Sequence, residues 1–175
     1  MQEGGNIVVL TGPIGAGKST VASEFMSISP WPFALIEGDH FWKFFDSGAN
    51  VKPKPVNFKL LIGSVLGAAI PIAKGGYNVL IDFTVPHSAS SRFLEHCNRF
   101  ELDVHWVTLS PELDVCSSRA AGRIEGRIAD YSYYEDFFTS FLDSPTTILD
   151  NSSLTPSAAA DQITIGLQNG TYLLE

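Results

Sequence analysis

The segment spanning residues 6–19 constrains the fold of this chain more than any other. It begins with a short apolar run, NIVVLT at 6–11, and continues into the glycine-rich sequence GPIGAGKS at 12–19. The apolar run predicts a buried strand, and the residues from Gly17 to about Ser27 predict a helix. A strand that passes through a glycine-rich turn into a helix is typical of the first unit of an α/β fold.

The glycine-rich sequence fits the spacing G-x-x-x-x-G-K-[ST] at every position. In this arrangement backbone N–H groups and the helix N-terminus converge on one anionic centre. Lys18 is expected to reach the β- and γ-phosphates of a nucleoside triphosphate, and the Ser19 hydroxyl is suited to bind Mg²⁺. The alternative is a glycine-rich turn with an incidental Lys-Ser pair. The predicted phosphate-binding residues are Gly12, Pro13, Ile14, Gly15, Ala16, Gly17, Lys18, Ser19 and Thr20.

Strands and helices are predicted to alternate along the rest of the chain. The predicted strands are 33–37, 78–83, 103–109 and 146–149. The predicted helices are 56–74, 87–100, one with Pro111 at its first position, 131–142, and one beginning at Thr155-Pro156. This alternation predicts a single α/β domain, residues 1–175, with a parallel sheet of about five strands and helices on both faces.

Composition excludes several classes of protein. The 175 residues are 45% hydrophobic and 17% charged, which favours a packed interior over disorder. A net charge of -8 disfavours binding to a nucleic-acid backbone. No apolar stretch approaches the roughly 20 residues needed to span a bilayer, and the first residues lack a basic leader, so we expect a cytoplasmic protein without a membrane partner. Cys97 and Cys116 are expected to be ordinary thiols.

Three further segments follow predicted strands or helices at functionally suggestive places: EGD at 37–39, RAAGRIEGR at 119–127 and DNSS at 150–153. With the glycine-rich loop, they resemble the small-molecule kinases of the P-loop superfamily, which include shikimate, gluconate and adenylylsulfate kinases and chloramphenicol phosphotransferase. The resemblance covers nearly the whole chain. It implies a P-loop three-layer sandwich and transfer of the γ-phosphoryl group of ATP, bound with Mg²⁺, to a hydroxyl of a small-molecule acceptor.

The EGD segment looks like the D-G-D of gluconate and adenylylsulfate kinases, with Glu37 in place of the first Asp. An acceptor hydroxyl needs a carboxylate to orient it or take its proton, and we assign this role to Asp39. The resemblance implies that Glu37 binds the water shell of the metal. Asp82, at the end of the third predicted strand, is a further magnesium candidate. The alternatives are a helix N-cap for Asp39 and a turn residue for Asp82.

The arginine-rich segment looks like the mobile lid of these kinases, at approximately residues 119–130. By resemblance, Arg119 packs near the nucleotide base, and Arg123 and Arg127 contact phosphates. Guanidinium groups would stabilise the charge that spreads over the γ-phosphoryl oxygens in the transition state. The alternative is a solvated basic helix face. The DNSS segment matches the loop that touches adenine, with Ser152 as the contact residue.

Several residues leave alternatives open. The aromatic residues after Asp39 suit either an acceptor pocket or the core; they are Phe41, Trp42, Phe44 and Phe45. A nucleoside or nucleotide kinase is the runner-up, with Lys43, Lys52 and Lys54 available for an anionic acceptor. A regulatory ATPase without an acceptor is the third hypothesis. The identity of the acceptor and the oligomeric state are not determined by these patterns.

Overall fold

The computed structural model describes residues 5–45, 58–124, 126–142 and 147–175. In these ranges five strands form one sheet: β1 (Ile7–Thr11), β2 (Phe33–Glu37), β3 (Asn78–Asp82), β4 (Val104–Leu109) and β5 (Ile148–Leu149). Their order across the sheet is β2-β3-β1-β4-β5, and all neighbouring strands are parallel. The predicted five-stranded parallel sheet is therefore confirmed.

In the described ranges, six α-helices alternate with these strands: α1 (Lys18–Ile28), α2 (Phe58–Lys74), α3 (Ser90–Asn98), α4 (Leu113–Ala121), α5 (Glu135–Thr139) and α6 (Pro156–Asn169). Three 3₁₀ helices, Gly38–Phe45, His87–Ala89 and Ser132–Tyr134, lie between them. The single helix predicted at 131–142 is wrong, because this stretch divides into a 3₁₀ turn and the short α5.

The predicted start of α4 is also wrong. Pro111 was expected at the first helical position, but α4 begins at Leu113 with Glu112 as its N-cap. The backbone N–H of Glu112 donates to Ser152 Oγ at 2.8 Å, and that of Ser110 donates to the carbonyl of Leu149 at 3.0 Å. These bonds hold residues 110–112 against the region around β5, so α4 starts only after Glu112.

The sheet separates two apolar cores. Alternate residues of β1 point to opposite faces, so Ile7 and Val9 join the core under α2 and α3, whereas Val8 and Leu10 join the core under α1 and α6. Because helices cover both faces, the central strands are buried throughout. The result is the predicted three-layer sandwich. None of the described helices is long and apolar enough to cross a membrane.

The register of the strands places the candidate site at their carboxyl edge. Asp82 at the end of β3 pairs with Leu10 of β1 on one side and with Glu37 of β2 on the other. The glycine-rich loop that follows β1 and the EGD segment that ends β2 therefore meet at one edge. Ligands of open parallel sheets bind at this edge.

Candidate active site

The glycine-rich loop is wedged between two backbone segments. Gly12 and Gly15 have φ angles of 147° and 88°, in the region that favours glycine. A Cβ on Gly12 would lie 2.2 Å from the carbonyl oxygen of Leu109, and a Cβ on Gly15 would lie 2.2 Å from that of Cys116. The loop therefore fits between the end of β4 and helix α4 only because these residues lack side chains.

Lys18, the first residue of α1, is a buried cation. It is 7% exposed, and its ammonium donates hydrogen bonds to the carbonyls of Gly12 (3.1 Å) and Pro13 (3.2 Å). Burial lowers the pKa of Lys18, and the nearby carboxylates of Asp82 and Asp39 oppose this shift. Among the described residues Lys18 forms no salt bridge. A cation in this state is suited to an anionic ligand such as a phosphate.

Ser19 and Asp82 lie side by side. The Ser19 hydroxyl donates to Asp82 Oδ2 at 2.7 Å. Burial raises the pKa of Asp82, while the bond from Ser19 and the charge of Lys18 act in the opposite direction. A hydroxyl and a desolvated carboxylate are oxygen donors of the kind that Mg²⁺ takes when phosphates and water complete its shell. The residues present therefore fit a magnesium ion held at Ser19 and Asp82.

Glu37 faces a different partner. Its Oε2 lies 3.2 Å from Nδ1 of His40, and both side chains are about half exposed. The structure thus brings Ser19 and Asp82 together but turns the Glu37 carboxylate towards the 3₁₀ helix. In the described part of the chain, no group of three or more His, Cys, Asp or Glu residues could hold a metal ion.

Asp39 is the second residue of the 3₁₀ helix Gly38–Phe45. Its Oδ2 accepts a hydrogen bond from Thr84 Oγ1 at 2.9 Å. The preceding residue is held tightly, because a Cβ on Gly38 would lie 2.5 Å from Cγ of the Phe83 ring. Asp39 therefore lies inside its helix and is bonded to the loop after β3, whereas an N-cap would precede the helix.

One cavity of about 970 Å³ brings together the residues predicted to act in catalysis, Lys18, Asp39, Arg123 and Arg127. One end of the cavity lies at the glycine-rich loop, residues 12–19, which is called the phosphate loop from here on. Lys18, Ser19 and Thr20 line that end, and Asp39 lines the cavity from the 3₁₀ helix. The cavity is also lined by the lid segment, defined as residues 119–130, through Arg123, Arg127 and their neighbours. Its volume is in the range of sites for small-molecule ligands.

The lid segment leaves helix α4 before its second and third arginines. Arg123 and Arg127 are exposed and lie beyond Ala121, where α4 ends, so they are not part of a basic helix face. Arg119 lies on the last turn of α4 and donates hydrogen bonds of 3.4 Å to the carbonyls of Ala16 and Asn151. It thereby joins the phosphate loop to the loop after β5.

A second cavity of about 440 Å³ also borders the phosphate loop. It is lined by Gly15, Gly17, Thr20, Arg119 and Asn151, among others. This is where the resemblance implies the nucleotide base.

Ser152, the predicted base contact, accepts from the Glu112 N–H and donates to Asp150. Its neighbour Asn151 is buried and donates from Nδ2 to the carbonyl of Ala16 at 2.9 Å. A contact of Ser152 with the nucleotide base stays a prediction.

Two further residues of the site were not expected from the sequence. Tyr131, just after the lid segment, donates from its hydroxyl to the carbonyl of Ile14 at 2.5 Å, and burial raises its pKa. It fixes the end of the lid segment to the phosphate loop. Thr84 orients Asp39 through the hydrogen bond to Oδ2. The only sequence signal for Thr84 was its position two residues after Asp82, at the end of a predicted strand. No sequence signal distinguished Tyr131 from its aromatic neighbours.

Several solved structures share this fold. A tunicamycin resistance protein from Deinococcus radiodurans is 21% identical with a TM-score of 0.69, and the match covers 97% of this chain and 98% of that one. The APS kinase of Mycobacterium tuberculosis, solved with AMPPNP and APS, is 17% identical with a TM-score of 0.66, covering 94% and 98%. A sugar kinase from Janibacter sp. HTCC2649 is 18% identical with a TM-score of 0.65, covering 93% and 94%. The predicted resemblance to P-loop small-molecule kinases is thereby confirmed at the level of the fold.

Sequence comparison gives the family. No curated protein matches the chain significantly. The profile of the AAA_33 family, described as an AAA domain, matches residues 7–133, which is well over half of the chain and includes the phosphate loop, Asp39 and the lid segment. The chain belongs to the AAA_33 family of AAA domains.

Proposed function

We propose that this protein is a kinase that transfers the γ-phosphoryl group of ATP, bound with Mg²⁺, to a hydroxyl of a small-molecule acceptor. The observation that carries the proposal is the shared cavity, in which Lys18, Arg123 and Arg127 face the same space as the carboxylate of Asp39. In phosphoryl transfer, cations bind the phosphates, whereas a carboxylate outside the phosphate loop orients the acceptor hydroxyl or takes its proton. The likeness in fold to a sugar kinase and to an APS kinase bound to AMPPNP supports this function.

The phosphates would be bound by the phosphate loop and the lid segment. Backbone N–H groups and Lys18 hold the β- and γ-phosphates, and Arg123 and Arg127 approach the γ-phosphoryl oxygens as the lid segment closes. The transition state of phosphoryl transfer is loose and spreads negative charge over these oxygens. Guanidinium groups fixed around them therefore lower the barrier.

Asp39 would act on the acceptor. The hydrogen bond from Thr84 occupies Oδ2 of Asp39 and orients the carboxylate. Its other oxygen is available to accept the proton of the acceptor hydroxyl. That hydroxyl oxygen would bond to the γ-phosphorus as the bond from this phosphorus to the β–γ bridging oxygen breaks and ADP leaves. Asp39 is exposed in the cavity, so an acceptor can reach it without rearrangement of the core.

Ser19 and Asp82 would hold the magnesium ion, which would neutralise charge on the phosphates. Ser19 offers its hydroxyl, and Asp82 offers the carboxylate that now accepts the bond from Ser19. A contribution of Glu37 through the water shell of the metal stays a prediction, and it requires the contact with His40 to open.

Substitution of Asp39 by Asn tests the proposal after an ATP-consumption screen over aminoglycoside, amphenicol, sugar-acid, nucleoside and nucleotide acceptors. Phosphorylation of the acceptor found should fall by roughly 10² to 10⁴, the usual contribution of a positioned proton acceptor. ATP affinity and slow background hydrolysis of ATP should persist. Asp161→Asn, an exposed change on α6, is the matched control.

Two results would contradict the proposal. If Asp39→Asn phosphorylates the acceptor at the wild-type rate, Asp39 is not the base. If no acceptor class stimulates ATP consumption and the background hydrolysis is unaffected by Asp39→Asn, the chain is a regulatory ATPase.

The nucleotide-kinase alternative has limited support in the described residues. Lys43 is exposed and does not line the cavity. Lys52 and Lys54 lie outside the described residues.

A further inference from the structure

The cavity that contains Asp39 has an aromatic wall that phosphoryl transfer does not require. Trp42 from the 3₁₀ helix, Phe58 from the start of α2 and Phe137 from α5 line it. Trp42 and Phe58 are 40% and 39% exposed, so each retains a large ring surface in contact with water. An apolar ligand that covered these rings would remove that surface from water.

This wall is anchored to the core. The rings of Trp42 and Phe58 lie edge to face with centroids 6.0 Å apart, and the Phe58 ring lies 6.3 Å from that of Phe83. Phe83 is fully buried just after β3 and packs against Gly38. The two exposed rings are therefore held in place before any ligand arrives, and Asp39 follows directly after Gly38. A ring stacked on Trp42 would lie on the same side of the fold as the proposed base.

The charges that line the cavity disfavour an anionic acceptor. Among the described residues that line it, Asp39 is the only acid and the cations are Lys18, Arg123 and Arg127. Lys18 is bonded to the phosphate loop. Arg123 is close enough to lower the pKa of Lys18, and it also lines the second cavity beside that loop. Lys18 and Arg123 therefore belong to the phosphate end, and the proposed function assigns Arg127 to the γ-phosphoryl group, so an acid group on the acceptor would meet the carboxylate of Asp39.

We propose that the acceptor is an uncharged hydroxyl compound that carries an aromatic ring. The ring packs on Trp42 and Phe58 while the hydroxyl meets Asp39. This inference rests on the proposed function, because it assigns the cavity beyond the phosphate loop to the acceptor.

Binding of three glucosides to the full chain tests the inference. Methyl β-D-glucoside, phenyl β-D-glucoside and phenyl β-D-glucuronide differ in turn by the ring and by a carboxylate. Calorimetric titration in the presence of Mg²⁺ and AMPPNP measures binding without transfer. The phenyl glucoside should bind about tenfold more tightly than the methyl glucoside, because its ring covers exposed aromatic surface. The phenyl glucuronide should bind more weakly than the phenyl glucoside.

Variants locate the effect. Trp42→Ala and Phe58→Leu should each remove most of the preference for the phenyl group. Phe44→Ala is the matched control, because Phe44 belongs to the same 3₁₀ helix and is 74% exposed but does not line the cavity. Circular dichroism and thermal melting check that each variant is folded. Phe58→Leu keeps an apolar side chain at its position, so it tests the ring if Trp42→Ala fails to fold.

Four results would overturn the inference. Two concern the ligands: equal affinity for the methyl and phenyl glucosides, or tightest binding of the glucuronide. The others are an equal loss of the phenyl preference in the Phe44 and Trp42 variants, or no binding of either phenyl compound at millimolar concentration.

Failure of the proposed function is a separate outcome. If no acceptor is ever phosphorylated but the phenyl preference depends on Trp42, the chain is not a kinase and the aromatic site stands. If an acceptor is phosphorylated and Trp42→Ala leaves its KM unchanged, the kinase stands and the aromatic site fails.

Discussion

The phosphate loop and the lid segment both bring cations to the same cavity, but they hold them in different ways. Lys18 is buried and bonded to the backbone of its own loop, whereas Arg123 and Arg127 are exposed and lie outside any helix or strand. The glycines of the two segments also differ in how closely other atoms surround them. A Cβ on Gly15 would collide with the carbonyl of Cys116, whereas a Cβ on Gly126 would meet nothing within 4 Å.

This difference indicates two stages of organisation. The phosphate loop is shaped by the packing of the fold, so its binding groups are in position before a ligand arrives. Arg123 and Arg127 of the lid segment are exposed and lie outside any helix or strand, so we expect the charge of a ligand to order them. Changes at the packed glycines of the loop should therefore lower stability most, whereas a change at Lys18 should affect ATP binding and turnover. Changes at the exposed arginines of the lid segment should affect turnover.

Lys18→Ala should produce the largest effect. Loss of the ammonium at the β- and γ-phosphates should lower phosphoryl transfer by about 10³-fold or more and weaken ATP binding. The fold should persist, since Lys18 bonds to the phosphate loop and not to the core. Titration with ATP and a steady-state assay measure the two effects, and Lys74→Ala, an exposed change at the far end of α2, is the control. Wild-type affinity and activity would rule out the phosphate-loop assignment.

Gly15→Ala and Gly126→Ala compare how tightly the phosphate loop and the lid segment are packed, through the loss of stability that each change causes. At Gly15 the added methyl group meets a backbone carbonyl and the φ angle is 88°, so the free energy of unfolding should fall by about 2–4 kcal/mol. At Gly126 the φ angle is 64° but the space is open, so the loss should be about 1 kcal/mol. Urea unfolding measures both. Equal losses would show that the lid segment is as tightly packed as the loop.

If Arg127 acts on the transferring phosphoryl group as proposed, Arg127→Ala should reduce turnover by about 10²-fold. Stability should not change, because the side chain is exposed. Arg92→Ala, an exposed change on α3, is the control. Hydrogen exchange gives the corresponding structural measurement. ATP with Mg²⁺ should protect residues 122–130 in the wild type and protect them less in the variant. Equal exchange with and without nucleotide would show that this segment is not a lid.

Asp82→Asn should have the smallest effect, and its sign depends on pH. Burial raises the pKa of Asp82 in the folded protein above its usual value of 3.8. The ionised carboxylate therefore costs stability once the pH exceeds the pKa of the unfolded chain, and it costs nothing at lower pH where both states are protonated. Without nucleotide or Mg²⁺, the Asn variant should be more stable than the wild type at pH 7, by about 1 kcal/mol.

The advantage of Asp82→Asn should shrink as the pH falls towards 3.8, the usual pKa of an Asp side chain. Urea unfolding at both pH values measures it, and Asp161→Asn is the control. A less stable variant at pH 7 would mean that the hydrogen bond from Ser19 outweighs the cost of burial. The same variant should require more Mg²⁺ for activity if Asp82 has the proposed metal role.

The elements of this fold were largely predictable because their signals are local. β2 occupies residues 33–37 as predicted, and Thr155 caps α6 as the Thr-Pro pair indicates. The glycine-rich loop was predictable for a related reason, since a backbone that must curve closely around an anion needs glycine at fixed spacing. The start of α4 was not, because a hydrogen bond from Glu112 to Ser152, 40 residues further along the chain, determines it.

The chain's own sequence thus determined the sheet, the phosphate loop and the types of residue available for chemistry. Only the tertiary structure decided which of them meet. Asn151 bonds to Ala16 across 135 residues, Tyr131 to Ile14 across 117 and Thr84 to Asp39 across 45. Asp82 meets Ser19 across 63 residues because β3 and β1 end side by side, whereas Glu37 meets His40 within its own segment. No periodicity within one segment records those long-range contacts.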